Sequence, residues 1–595
     1  MKKSSFFLGG ALLFATLFTT SCKEVLGSLD NPVSSYLTVN VADVTIPTGD
    51  TFQLKSETIN SDNPITYKSI DETVATVDAN GLVTGVADGE TTILVSVAAS
   101  QYYQEGTKEV KVAVKRPLTF EALEDGGISV YFYTVPEKPI VYSINGAATK
   151  QEITSYTWIP VVKGDKVEFE SANERLTSGD WNWGVQIAPQ SKCAVYGNVM
   201  SMITPDGNYH TNKTITQHSA LYGLLYGSGN WEKNPNTGIW ECKEPFTSTH
   251  EKYKLLLPAT TLATACYACM LGNIDFSKSV PELPATELAP YCYQRMFSEC
   301  YNLPNVPELK ATDLKDGCYS YMFQYCTNLE KTPTLSVATM KDYCYQGMFY
   351  YCTSLKTAPA LPATELKDYC YDNMFRKTGL TKAPALPATK LGEFCYRSMF
   401  YDCKDLAQAP ALPATKMKYY SYAYMFSGCT ALKEAPALPA DELDEYCYIS
   451  MFQNCTSLTK APELKAAKLP AYCYYYMFHN CTKLASVKCL ATEMTGYNAI
   501  SGMLNNAGTD ESVTKRTFTR STDNNNWVNN DDWAWDLNQW YVPTSWTIDP
   551  AITAASAPAR RAAAVKGTPI KTPTSIMSDG GEDTGGVKAP AKTNI

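Results

Sequence analysis

The sequence is poor in the residues that acid–base and metal chemistry draw on. Only four of its 595 residues are histidine, and His210, His218, His250 and His479 have no partners at triad or metal-site spacing. No glycine-rich phosphate loop occurs. Charged residues make up 19% of the chain and the net charge is −9, which excludes the dense basic face that nucleic-acid capture requires. Beyond the N-terminus, no stretch reaches the roughly 18 consecutive apolar residues of a membrane-spanning helix. The expectation is a protein that is not an enzyme, carries no cofactor or metal, and binds no nucleic acid. What abounds instead is aromatic and sulfur-bearing: 40 tyrosines, 10 tryptophans, 20 cysteines and 17 methionines. Rings that pair an apolar body with a polar tip suit contact surfaces.

The first residues bear on the compartment. “MKK” is followed by Phe6 to Phe18, an uncharged apolar run too short to cross a bilayer but suited to a signal-peptide core. The run leads into “TTSC”, which resembles the lipobox of bacterial lipoproteins, with Thr19 standing where the usual pattern has Leu. The resemblance implies a signal peptide over 1–21, lipidation of Cys22, and an outer-membrane protein whose only membrane attachment is that lipid. The “KE” after Cys22 is similar to a charged signal for export to the cell surface. Residues 22–35 read as a tether.

From Tyr36 apolar and polar residues alternate, with turn signals at “DANG” and “ADGE”, as in a small β-sandwich. “KSIDETVATVDANGLVTGVADGETTI” is similar to the bacterial Ig-like group 2 domain, which implies a spacer or adhesion module over 36–116. Residues 117–215 hold further strand candidates: “ISVYFYTV”, “VYSING” and “KVEFES”. Trp181 and Trp183, two apart in “SGDWNWGVQ”, share a face if extended. They either lid the core or stack on a sugar or a partner.

The second half is periodic. Met270, Met296, Met322, Met348, Met374, Met399, Met425, Met451, Met477 and Met503 recur every 26 residues, with one interval of 25. Each unit follows “LPATxLxxYCYxxMFxxCxxLxxAPA”, and a fixed period of this size marks a solenoid. The pattern resembles the BspA-like leucine-rich repeats of bacterial surface proteins over 255–508. That resemblance implies that the first apolar position, the Phe, the Cys and the Leu of each coil point inward. The fold expected is multidomain: an Ig-like β-sandwich, a second β-rich domain, and a leucine-rich-repeat α/β solenoid of about ten coils, with 216–254 as its N-terminal cap.

Cys344, Met348 and Cys352 stand at i, i+4 and i+8, one stripe of a helical segment. Eight residues of helix rise about 12 Å, too far for two thiolates to share a zinc at about 2.3 Å each or to form a disulfide. The same ladder runs through Cys292, Met296 and Cys300 and through Cys318, Met322 and Cys326. Ser421 replaces the first thiol of one unit and “MFRKTGL” lacks the second thiol of another, which points to interior filling. Cys266 and Cys269 form a CxxC with no second pair at zinc-finger distance, and Cys193 and Cys242 are candidates for a bridge outside the array. The prolines of “PALPA” limit strands to short pieces near “SLKTA”.

Tyr291, Tyr343, Tyr369, Tyr419, Tyr446 and Tyr472 precede the first cysteine position of their units, and a second tyrosine row, Tyr293 to Tyr474, follows it. The first row is a candidate binding surface; the second is expected to stack along the solenoid. Residues 509–550 break the period and carry Trp533 and Trp535, either as a cap of the last coil or as a ligand-binding patch. The Ala/Pro/Thr-rich tail from 551 is expected to be disordered. The expected function is protein binding or adhesion at the cell surface, to host matrix or bacterial partners; the alternative is capture of glycan by the tryptophan and tyrosine clusters.

Overall fold

Alternating side chains build the N-terminal third. The computed structural model describes residues 32–549 except 48, 60, 179–182, 228, 234–239, 246, 525 and 532–539. “GETTILVSV” and “GTKEVKVAV” form an antiparallel hairpin, Gly89–Val97 on Gly106–Val114. Its inward residues Ile93, Val95, Val110 and Val112 join Leu37, Ile46, Leu54, Ala75 and Val83 in one core. Four strands (43–46, 106–114, 89–97, 65–69) form one sheet, and three (51–53, 82–85, 75–77) form another.

A second sandwich follows directly. Its larger sheet orders strands 151–153, 140–144, 166–171, 118–122 and 193–198; its smaller sheet orders 157–161, 126–132 and 185–189. Leu118, Phe120, Ile128, Val130, Val167 and Phe169 are fully buried in this domain. Arg116 locks the two sandwiches together. It is 4% exposed, pairs with Asp50 of the first sandwich at 3.0 Å, and lies 5.4 Å from the ring centroid of Tyr196 in the second. Cys193–Asn198 pairs in parallel with Thr247–Thr249 and Leu255–Leu256, so the second sandwich merges with the repeat array.

The array departs from the α/β solenoid expected. Between Leu256 and Glu463 the described residues contain neither a helix nor a regular strand. Each “YCYxxMFxxC” segment is a ribbon of consecutive turns with a left-handed residue at every fourth position, such as Tyr343 (φ +58°), Gly347 (+56°) and Tyr351 (+62°). Every second amide closes a turn: those of Gln346, Met348, Tyr350 and Cys352 donate to carbonyls three residues back. The alternate amides leave the coil. Those of Tyr343, Tyr345, Gly347, Phe349 and Tyr351 donate to the carbonyls of Asp368, Cys370, Asp372, Met374 and Arg376 in the next coil, at 2.8–3.1 Å. A four-residue step returns the chain to one face much as a 3.6-residue helical turn does, so the stripe expected of a helix is present without one. Holding a non-glycine residue left-handed costs about 1–2 kcal/mol; the inter-coil ladder and the buried stripe offset it.

Away from the ribbons some coils are joined by isolated bridges such as Lys382↔Gln408 and Glu365↔Lys390. Proline removes the amides that would extend these into strands. Regular parallel strands return where the prolines thin out: Glu463–Leu464, Ser486–Cys489, Thr517–Arg520 and Thr547–Asp549 form one sheet. Residues beyond the last Met unit therefore continue the solenoid, with Trp527, Trp540 and Trp546 buried among them. At the other end, 219–227 is also a ribbon, its alternate amides donating to the carbonyls of Thr264, Cys266, Ala268, Met270 and Gly272. It has no Met to mark it in the sequence.

Candidate functional site

The sulfur ladder lies inside. Cys292, Met296, Cys300, Cys318, Met322, Cys326, Cys344, Met348 and Cys352 are all fully buried. The described cysteines are unpaired thiols. Among the described residues, no three His, Cys, Asp or Glu side chains gather as a metal site requires. The second thiol of each coil does more than occupy volume. Cys326 donates to the Phe297 carbonyl, Cys352 to that of Phe323 and Cys455 to that of Phe426, each at 3.1 Å, so a weak S–H donor ties each coil to its predecessor. Where that thiol is missing, the Thr378 hydroxyl donates to the Phe375 carbonyl at 2.8 Å and lies 3.3 Å from Cys403. Ser421 faces the Met417 sulfur at 3.8 Å, as Cys344 faces Met340. Both replacements keep a donor.

Burial pushes the thiols of Cys266, Cys344 and Cys403 up to about 12, far from the nucleophilic thiolate. Cys269 contacts the Tyr222 hydroxyl at 3.7 Å. Cys193 is buried, and the Cys242 side chain and Cys22 fall outside the described residues. At pH 8 the native chain is expected to leave its described thiols unlabelled by a disulfide reagent, and all of them labelled in guanidinium. Mass mapping reads this directly; rapid native labelling of Cys344 or Cys352 would mean that the coils open.

Two aromatic rows run along the array in different environments. Tyr293, Tyr319, Tyr345, Tyr371, Tyr396, Tyr422, Tyr448 and Tyr474 are buried, with successive ring centroids 5.5–6.2 Å apart. At a coil pitch of about 4.8 Å these are offset stacks, the arrangement aromatic pairs prefer. The other row is half-buried on the turn face. Tyr343, Tyr369, Phe394, Tyr420, Tyr446 and Tyr472 stack at 4.4–4.9 Å, within 16° of parallel. Tyr420, rather than Tyr419, holds the row position in its coil; Tyr419 packs edge-on against it at 4.7 Å. Gly317 interrupts the row, because the Tyr291 ring lies where its Cβ would be, at 2.2 Å.

Arg397 stands beside this row, and Arg376 and Lys377 stand two turns further along the ribbon; the repeat consensus contains none of these cations. Arg376 lies 4.2 Å from the Tyr401 centroid, Lys377 4.4 Å from that of Tyr351, and Arg397 5.0 Å from that of Phe394. Arg397 also grips Asp372, Nε to Oδ1 at 2.8 Å and a terminal nitrogen to Oδ2 at 2.9 Å. The pair was accessible to sequence reasoning: Asp372 and Arg397 are 25 residues apart, one short coil, at equivalent positions of “YDNMF” and “YRSMF”.

The tryptophan candidates separate. Trp183 is half-buried and meets Tyr222 and Tyr226 edge-on at 5.6 and 5.5 Å, in the seam between the second sandwich and the first ribbon. Trp181, Trp533 and Trp535 lie outside the described residues. The histidines have unrelated partners: His210 meets Glu90 at 3.0 Å, His250 lies against Tyr253, and His479 against Tyr476.

In the same seam the Tyr226 hydroxyl donates to Glu299 at 2.6 Å, and burial pushes the Glu299 carboxyl above its ordinary 4.5. The folded protein thus holds this proton more tightly than the unfolded chain. The stability it contributes is fully present below 4.5 and falls as pH rises through the elevated value. Glu299→Gln, which keeps an acceptor for Tyr226, is expected to raise the melting temperature at pH 8 and leave it unchanged at pH 4. An equal shift at both values would break the assignment.

Residues 36–108 match the family model of the bacterial Ig-like domain (group 2), and residues 262–407 and 396–505 match that of the BspA type leucine rich repeat region, in six copies. No curated protein matches the chain. Domains of these two kinds are typically non-enzymatic binding modules. Among the described residues, no helix is long and apolar enough to cross a membrane.

Proposed function

We propose that this chain, with its bacterial Ig-like domain and BspA type leucine-rich repeats, is a cell-surface lipoprotein of the outer membrane, anchored through Cys22, that binds protein partners on the turn face of its solenoid. Host matrix proteins and other bacterial surfaces are the partner classes in view. The observation that carries this reading is the strip of stacked rings from Tyr343 to Tyr472 with Arg397 beside it. Tyrosine and arginine are the residues in which protein interfaces and their hot spots are enriched. The stacking also weighs against glycan on this face. A sugar binds aromatic rings by their flat sides, and in this row neighbouring rings occupy those sides, leaving edges and hydroxyls for a partner.

The test has two arms. The first is binding of the purified chain to immobilised matrix proteins and to whole bacteria, with Tyr369→Ala/Tyr446→Ala expected to weaken it about 30-fold, the loss of one hot spot of about 2 kcal/mol. The second is protease shaving of intact cells, with Cys22→Ala expected to release the protein from the membrane fraction. Binding that survives the double substitution, or a chain inaccessible to protease outside the cell, would defeat the proposal.

A further inference from the structure

The most exposed aromatic surface lies on the smaller sheet of the second sandwich, on the edge strand Thr157–Val161. Directly opposed residues share a face of a sheet, and the pairs Trp158↔Ser129, Pro160↔Gly127 and Tyr131↔Gln186 mark its outward side. Ile128, Val130 and Ile159 take the inward side. Tyr156 is 57% exposed, Trp158 50% and Tyr133 41%. A Cβ on Gly127 would fall 2.3–2.5 Å from atoms of the Trp158 indole. The indole therefore lies against bare backbone with its other side to solvent. Tyr131 continues the platform, its ring centroid 5.3 Å from that of Tyr156 and 6.5 Å from that of Tyr133. The Tyr133 hydroxyl donates to Gln186 Oε1 at 3.1 Å and gives the platform a polar end.

Charge and backbone together select the occupant. Ser129, Gln186 and Ala188 on this side are buried, and its accessible positions, Tyr131, Tyr156, Trp158 and Pro160, carry no charge, so the face complements an uncharged ligand. The edge strand Thr157–Val161 carries Pro160, which removes an amide that a peptide adding as a strand would need. Flat rings with a hydroxyl at their margin suit a ligand with C–H faces and hydroxyl edges. We infer that this face is a binding site for a neutral saccharide, which stacks on Trp158, Tyr156 and Tyr131 with its hydroxyls toward the Tyr133 hydroxyl.

Affinity electrophoresis of the full-length chain tests the inference, with native gels containing a β-glucan, amylopectin, xylan or galactomannan, and polygalacturonate as the acidic counterpart. Retardation is expected in at least one neutral gel. Trp158→Ala should reduce that affinity about tenfold, with partial recovery in Trp158→Phe. Tyr369→Ala, on the solenoid, should leave it unchanged. Trp158 is exposed, so its substitution leaves the core intact. Three results would overturn the inference: no retardation in any neutral gel, retardation indifferent to Trp158→Ala, or a self-associated chain in sedimentation that Trp158→Ala dissociates.

Discussion

Phe349→Ala is expected to destabilise the solenoid by about 3–5 kcal/mol, the upper range for aromatic truncation in a core. The ring is fully buried and sandwiched between Phe323 at 5.9 Å and Phe375 at 5.7 Å, both within 7° of parallel. Its neighbours cannot close on the vacated space, because the inter-coil hydrogen bonds at Gly347, Phe349 and Tyr351 fix the spacing of the coils on either side. Stability in a repeat array is largely a sum of nearest-neighbour terms. The loss should therefore also divide one unfolding transition into two, with the N-terminal coils separating from the C-terminal ones. Guanidinium denaturation followed by far-ultraviolet dichroism measures both effects. A change below about 1 kcal/mol would mean that the array relaxes around the cavity and that the coil spacing is softer than the ladder implies.

Asp372→Ala should come second, at about 2–4 kcal/mol. Asp372 is fully buried and accepts hydrogen bonds from Arg397 twice, from Gln346 at 3.0 Å and from the Asn373 side chain at 2.9 Å. Burial disfavours the charged Arg397 guanidinium, but the Asp372 carboxylate outweighs it and holds Arg397 above its ordinary value. Removing the carboxylate leaves a cation with reduced access to water and four N–H donors without their acceptor. The Arg397 side chain retains 30% of its exposure, which places the expected cost below that of a fully enclosed pair. Arg397→Met in the Asp372→Leu background should recover most of the loss, since a well-packed apolar pair can replace a buried ionic one. Lys390→Ala, at the exposed pair with Glu365, should leave stability unchanged. A double-mutant cycle separates these outcomes. Additive single effects at 372 and 397 would show that the two side chains do not act as a pair.

The 26-residue period and the inward Cys, Met, Phe and Leu positions were legible in the sequence because repetition separates a rule from its exceptions. The conformation that delivers them was not. Spacings of four suit both a helix and a ribbon of turns, and nothing in “YCYQGMFYYC” announces that Tyr343 and Tyr351 have positive φ. Left-handed backbone is read from Gly and Asn, and here it falls on tyrosine as often as on those two together. The hydrogen bonds that stabilise it join residues a full coil apart, beyond the reach of local propensity. The ribbon at 219–227 was hidden for a different reason: it is separated from the next by an insertion and carries Leu224 where the units carry Met. The surface row was located from its tyrosines, with Tyr419 taken for Tyr420 although Tyr420 is the residue that directly precedes Ser421. The platform at Trp158 passed unnoticed, since exposure of an alternating strand residue depends on which sheet covers it.

The alternate amides of the ribbons have a further consequence. All five at each junction point from one coil to the next in the same sense. Their dipoles add head to tail along the solenoid as peptide dipoles do in a helix, but with the positive pole at the C-terminal end. The two ends of the array are thus electrically unlike irrespective of side-chain charge, and an anionic ligand would favour the end furthest from the sandwiches.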